Sequence, residues 1–222
     1  MVIKNIIIDI AEAVRYMGYR NVPDEGQMAL IRQRAEHIEK NIKPAAIYQV
    51  FDIEETVSGL RLKMTNITLA GEDIRRHLAG CEKCILLCAT AGIKADELIR
   101  RAQVEDISAG FMTDCLASAA VEAVCNELEV MLKDMLKEWH FTWRFSPGYG
   151  DLPLSVQPQI IDVLDAPKRA GVSCLESLLM VPAKSVTAII GLSREPVEEK
   201  RRGCAVCNMS GRCDFRKRGI HC

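Results

Sequence analysis

Apolar and polar residues follow two periods along this chain, and the period changes where the structure should change. From Asp24 to about Asn41, Met28, Ile31, Ala35 and Ile38 recur at steps of three and four. That spacing predicts a helix with one apolar face, and Asp24 stands where an N-cap belongs. An earlier helix is expected over Asp9 to Met17, after a short N-terminal strand. The longest helical pattern runs from about Ile107 to Trp139, with Leu116, Ala120, Val124, Leu128, Met131 and Met135 on its stripe. Shorter helices are expected at Glu72 to Leu78, Ala95 to Ala102 and Ser155 to Leu164.

Strand signals lie between these helices. Residues 44–53 read as a strand, and 60–64 and 66–70 as two half-buried ones. Residues 84–91 are almost continuously apolar, which predicts a strand covered on both faces. HFTWRF (140–145), Gly171 to Ser177 and Ser185 to Leu192 complete the set. Helices and strands mix without a steady βαβ rhythm. The expected fold is therefore α+β, a largely antiparallel twisted sheet packed with helices.

The pattern fails at Glu195. Residues 195–222 are charged and cysteine-rich, with little apolar period. Two units are expected: a core domain over 1–194 and a cysteine-rich appendage over 195–222. The whole chain has 222 residues, 49% of them hydrophobic, enough for a core without staples. Its net charge of −1 gives no bulk attraction to nucleic acid or membrane, and 5% aromatics argue against a base-stacking surface. The N-terminal residues hold no signal-type apolar core, and no apolar run reaches spanning length. The expectation is a cytoplasmic protein whose cysteines serve something other than disulfides.

The ten cysteines fall into two populations. Cys81, Cys84 and Cys88 tempt a metal reading, but Cys84 and Cys88 share one face of an apolar strand and read as small buried hydrophobes. Cys115, Cys125 and Cys174 read as core too. In the appendage, Cys204, Cys207, Cys213 and Cys222 follow the spacing CxxC-x5-C-x8-C, and packing does not explain them. Four thiolates suit zinc or an iron–sulfur cluster, with His221 as a substitute ligand. Seven Lys or Arg and one acid lie between Lys200 and Cys222, which would lower thiol pKa or form a docking patch.

The stretch RFSPGYGDLP (144–153) suits neither helix nor central strand. A fixed Arg144 can grip a carboxylate with two prongs. Gly148 and Gly150 let backbone approach a flat ligand, and Tyr149 offers a ring and a hydroxyl. A solvated surface turn is the competing reading. On the long helix, Glu122 has Ser118, Ala119, Cys125 and Asn126 as neighbours, none of them charged. It is either a solvated side chain, satisfied locally by Ser118, or an acceptor awaiting a cation. Paired with Arg144, it outlines a site for a ligand of both charges.

The pattern Arg144-x-x-x-Gly148-Tyr149 resembles the S-adenosylmethionine-binding motif of the activation domain of cobalamin-dependent methionine synthase. EAVRYMGYR (12–20) is similar to the opening helix of stand-alone members. LAGCEKCILLCATAG (78–92) resembles their glycine-flanked strand, ASAAVEAVCNEL (117–128) their glutamate-bearing helix, and MVPAKSVTAIIGLS (180–193) their closing strand. The resemblance implies that Glu122, Arg144, Gly148 and Tyr149 bind S-adenosylmethionine. After Gly-Tyr the methionine synthases read Pro-Ala-Cys-Pro, and this chain reads Gly150-Asp151-Leu152-Pro153. The family's early ligand-binding aspartate has no secure match here.

The resemblance further implies reductive remethylation of a corrinoid. The chain carries no DxHxxG corrinoid motif of its own. The cobalamin would therefore sit on a partner, either a corrinoid protein or a methionine synthase lacking its activation domain. An iron–sulfur tail would add an electron-transfer partner. The alternative is a non-catalytic S-adenosylmethionine sensor with a structural zinc tail used for docking, and a third reading has the fold reused for another ligand.

Overall fold

The apolar run at 84–91 becomes the middle of the sheet. In the computed structural model, which describes residues 3, 6–19, 21–197 and 211, β4 (Lys83–Thr90) pairs antiparallel with β1 (Ala45–Thr56) and β8 (Ser185–Ser193). Both neighbours run its full length, so no backbone edge is left to water. β2 (Gly59–Leu62) and β3 (Thr68–Leu69) extend the sheet beyond β1, and β5 (His140–Phe141) flanks β8. The order is β3-β2-β1-β4-β8-β5, and every pairing among the described residues is antiparallel.

The strand period of two sorts side chains onto two faces. Ile85, Leu87 and Ala89 of β4, with Ala188, Ile190 and Leu192 of β8, pack against Val124, Cys125, Leu128 and Leu132. Those four belong to α5 (Ile107–Met135), the long helix expected from the stripe. α1 (Ile10–Tyr16), α2 (Glu25–Asn41) and α4 (Ile93–Glu105) complete that layer. Cys84, Leu86 and Cys88 face the other way, toward α3 (Glu72–His77), α6 (Gln157–Val163) and α7 (Ala166–Arg169). Both thiols are fully buried among apolar side chains. Burial pushes the Cys88 thiol up to about 12, and Cys84 upward as well. These are core residues, as the sequence implies.

Asp24 caps α2 as expected, and Asp106, which the sequence reading did not single out, caps α5. Asp24 accepts from Gln27 N at 2.8 Å and Gln27 answers in a capping box, while Asp106 accepts from Ala109 N at 3.0 Å to start α5.

Several boundaries differ from expectation. α5 stops at Met135, not Trp139; Trp139 N turns back onto Leu136 O at 2.9 Å, and both side chains pack onto the core from that turn. Met131 and Met135, placed on the apolar stripe, are 38% and 54% exposed. Leu132, one helical step beyond Leu128, holds the buried position instead. Residues 6–9 form no strand, although Ile6 and Ile8 are buried and Ile8 N donates to Glu39 at 2.7 Å. The segment 171–177 yields only β6 (Ser173–Cys174), paired with β7 (Met180–Val181) in a separate hairpin. Leu178, with φ of 66°, turns the chain there. HFTWRF is a strand only at its start, and the cause of that interruption shapes the site. The appendage lies outside the described residues apart from Glu195, Pro196, Val197 and Gly211.

Candidate functional site

One extra residue beside β8 aims Arg144. His140 pairs with Ser193 and Phe141 with Leu192, and Thr142 N donates to Gly191 O at 3.0 Å. The next pairing is Phe145 with Ile189. Three steps on one side therefore match two on the other, which is a β-bulge. Its consequence is a change of face. Phe141 packs on the α5 side, whereas Trp143 and Phe145 pack on the α6 side. An unbroken strand would keep all three on one face and send Arg144 away from α5. With the bulge, Arg144 points at α5.

Four hydrogen bonds receive it there. Arg144 Nη1 donates to Glu129 Oε1 at 2.6 Å and to Asn126 Oδ1 at 3.0 Å. Nη2 donates to Asn126 Oδ1 and to Glu122 Oε2, both at 3.0 Å. Glu122, Asn126 and Glu129 stand at steps of four and three on one stripe of α5. The Arg144 side chain is 20% exposed, Glu129 17% and Glu122 38%, so the cluster is shielded on one side and open on the Glu122 side. Two carboxylates and one guanidinium leave a net charge of −1. Lys133 approaches Glu129 at 3.9 Å from the exposed end. Cys125 lies beneath, and burial raises its thiol to about 12, marking a dry floor. Tyr16 of α1 packs with the α2 and α4 side of the helical layer; burial and its bond to Glu12 raise its hydroxyl pKa, and the charge of Glu122 adds to the rise.

Ser118 does not satisfy Glu122. Its hydroxyl donates to Asp114 O at 3.1 Å and accepts from Lys184 Nζ at 2.9 Å. The Lys184 ammonium also pairs with Asp114 at 2.9 Å. The α5 stripe thus carries two cations in succession, Lys184 near its start and Arg144 further along.

The loop after Arg144 is built from two turns: Tyr149 N donates to Ser146 O at 3.1 Å, and Leu152 N to Tyr149 O at 3.1 Å. Gly148 has φ of 89° and Gly150 of 54°, backbone that favours glycine. Tyr149 is 62% exposed, with its ring edge-on to Phe145 at 6.5 Å between centroids. Asp151 has a structural task. Its carboxylate accepts from Glu72 N at 2.6 Å and Asp73 N at 3.0 Å, capping α3 from 78 residues away in sequence. Gly71, which precedes that helix, has no side chain to do so, and a Cβ on it would meet Asp151 Oδ1 at 2.4 Å.

Of the residues the sequence singled out, Glu122 and Arg144 meet directly, and Gly148 and Tyr149 follow on the same loop. Glu129 and Tyr16 were not singled out, and Asn126 only as a neighbour. A stripe search from Glu122 at steps of four and three finds Asn126 and Glu129; Tyr16 has no such signal. Cys204, Cys207, Cys213 and Cys222 lie outside the described residues. Among the described residues no group of His, Cys, Asp and Glu is arranged to hold a metal ion. No described helix is long and apolar enough to cross a membrane.

Residues 66–197 match the family described as the vitamin B12 dependent methionine synthase, activation domain. Among solved structures, the chain is similar to the MetH reactivation domain bound to AdoHcy, with a TM-score of 0.66 and 14% identity. The alignment covers 99% of this chain and 85% of that one. At that identity the likeness is one of fold. No curated protein matches. The family match spans more than half of the chain and contains α5, the bulge and the loop, so this chain belongs to the activation-domain family of vitamin B12 dependent methionine synthase.

Proposed function

We propose that the chain binds S-adenosylmethionine at the Glu122–Arg144 cluster and presents its methyl group to the corrinoid of a partner protein. The observation that supports this most is the meeting of Arg144 with Glu122 at 3.0 Å, in a half-buried cluster of net charge −1. S-adenosylmethionine carries a carboxylate, an ammonium and a sulfonium, so its net charge of about +1 complements the cluster. MetH's reactivation domain, which shares the fold, was crystallised with AdoHcy, the demethylated form of the same ligand.

In this reading Arg144 takes the amino-acid carboxylate and Glu122 the ammonium or hydroxyls. Gly148 lets the backbone approach, and Tyr149 covers the ligand with its ring. The buried floor at Cys125 keeps water from one side. When a reduced corrinoid faces the site, its cobalt supplies the nucleophile, so the chain needs no general base. Its contribution is orientation of the methyl group. The partner is a corrinoid protein or a methionine synthase without its own activation domain, with this chain acting in trans.

Residues 1–194 are proposed as the ligand-binding unit and 195–222 as an appendage in which Cys204, Cys207, Cys213 and Cys222 hold zinc or an iron–sulfur cluster. That part rests on spacing alone, and anaerobic metal analysis tests it. The main test is anaerobic incubation with labelled S-adenosylmethionine, a reductant and a corrinoid partner. Label on cobalt, lost with Arg144→Ala, is the expected result. Binding without transfer makes the chain a sensor instead. Absence of binding removes the ligand assignment.

A further inference from the structure

A guanidinium has four N–H bonds on its two terminal nitrogens. In Arg144 both nitrogens carry two hydrogen bonds already, to Glu129 and Asn126 from Nη1 and to Asn126 and Glu122 from Nη2. A ligand carboxylate seeking the two-pronged grip needs two parallel N–H groups. The parallel pair, one N–H from each nitrogen, converges on Asn126 Oδ1, so a ligand carboxylate takes the place of Asn126 and comes to lie beside the carboxylates of Glu122 and Glu129.

The three partners are not equivalent. Asn126 is neutral and exposed, so it yields at little cost. Glu122 faces the open side, where the cationic part of the ligand is placed. Glu129 is different in kind. It is a carboxylate, the same group that the ligand would present, and it makes the shortest of the four contacts, 2.6 Å. It is also the least exposed of the cluster at 17%, where screening is weakest. Without its departure, three carboxylates would crowd one guanidinium. A destination exists: Lys133, one turn further along α5, lies 3.9 Å from Glu129 and is 58% exposed. Glu129 can leave Arg144 and still keep a counter-charge.

We propose that Glu129 is a built-in stand-in for the ligand's carboxylate, which holds Arg144 until ligand displaces it, with Lys133 receiving the released side chain. This rests on the reading of the site as one for an S-adenosyl amino acid. Its consequence is selectivity. A ligand without a carboxylate cannot break the Arg144–Glu129 pair, and one with it binds more weakly than an open Arg144 would allow, because part of the affinity is spent on displacement.

The test is calorimetric titration of the full chain with S-adenosylhomocysteine and, in parallel, with its decarboxylated analogue. Glu129→Gln should bind S-adenosylhomocysteine about five- to tenfold more tightly than the native chain. Affinity for the decarboxylated analogue should stay within about twofold, because that compound never competes for Arg144. Lys133→Met should weaken S-adenosylhomocysteine binding about twofold in the native background and have no effect beside Glu129→Gln. Unchanged or weaker binding by Glu129→Gln overturns the proposal, since Glu129 would then be holding Arg144 in position for ligand. An equal gain for both compounds also overturns it, as general loosening. If the native chain and Glu129→Gln both fail to bind either compound, the ligand assignment itself falls and the stand-in with it. Thermal unfolding confirms that each variant is folded; Glu129→Asp, with its shorter reach, replaces Glu129→Gln if the latter is not, and the same direction is expected.

Discussion

The two ends of the stretch 144–153 are both tied down by a charged side chain, yet the ties differ in kind. At one end Arg144 bonds to three side chains of α5. At the other, Asp151 bonds to two backbone N–H groups at the start of α3. Side-chain partners can swing away and be replaced by a ligand. The N–H groups of a first helical turn cannot move without unwinding the helix, and the helix itself offers them no acceptor. One end is therefore an exchangeable contact and the other a permanent anchor. Function is to be sought at the first and stability at the second.

The comparison is most exposed to Arg144→Ala. Loss of a two-pronged charge-assisted grip should cut affinity for an S-adenosyl ligand about 100-fold, some 2.7 kcal/mol. Because Glu122 opens to solvent and Glu129 keeps Lys133 at 3.9 Å when the arginine is removed, denaturant unfolding should show a smaller change. A large loss of stability with intact affinity would reverse the roles assigned to the two ends. Asp151→Ala is the mirror test. It removes the cap of α3 and should lower stability by about 1–2 kcal/mol in urea, with a secondary loss of affinity of a few-fold through the loosened loop. Gly150→Ala acts on the same anchor more mildly. Its φ of 54° costs an L-residue about 1 kcal/mol, and the new Cβ would press on Asp73, at 2.5 Å from Oδ2 and 2.9 Å from Cβ. Asp73 would have to shift against its pair with Arg76.

Legibility in the sequence follows the same division. Period and capping carry the helices well: α2 and α5 begin where Asp24 and Asp106 sit, because an N-cap is a local interaction between residues three apart. The core strand at 84–91 is legible because burial on both faces forces a continuous apolar run. The bulge beside β8 is not, since it exists only in the register between two segments some 50 residues apart in sequence. Nor is the Asp151 cap, whose partners are 78 and 79 residues away. The four residues after Tyr149 leave the methionine synthase pattern, and the structure gives Asp151 of them an architectural role. Glu122 and Arg144 are legible as a pair from chain order, a strand arginine just after the glutamate's helix, and the family resemblance sharpens that pairing; the bulge that turns one toward the other has no local sequence signal. Glu129 stands one helical step beyond Asn126, but nothing local in the sequence separates a helix glutamate that meets a distant arginine from one that is solvated.

Tyr149 offers the smallest and most discriminating perturbation of the exchangeable end. At 62% exposure its ring adds little to the core, so Tyr149→Phe should leave stability within about 0.5 kcal/mol. Its effect on ligand affinity separates two ways the side chain can serve. If the ring face covers the ligand, Tyr149→Phe retains affinity within about threefold while Tyr149→Ala loses about tenfold, a difference set by stacking area. If the hydroxyl makes the contact, the two variants fall together. The first outcome keeps recognition of charge with Arg144 and Glu122 and leaves Tyr149 as an apolar cover. The second extends polar recognition along the loop toward Gly150, and the boundary between exchangeable contact and fixed anchor then lies at a single peptide, between Tyr149 and the glycine that holds Asp151 in place.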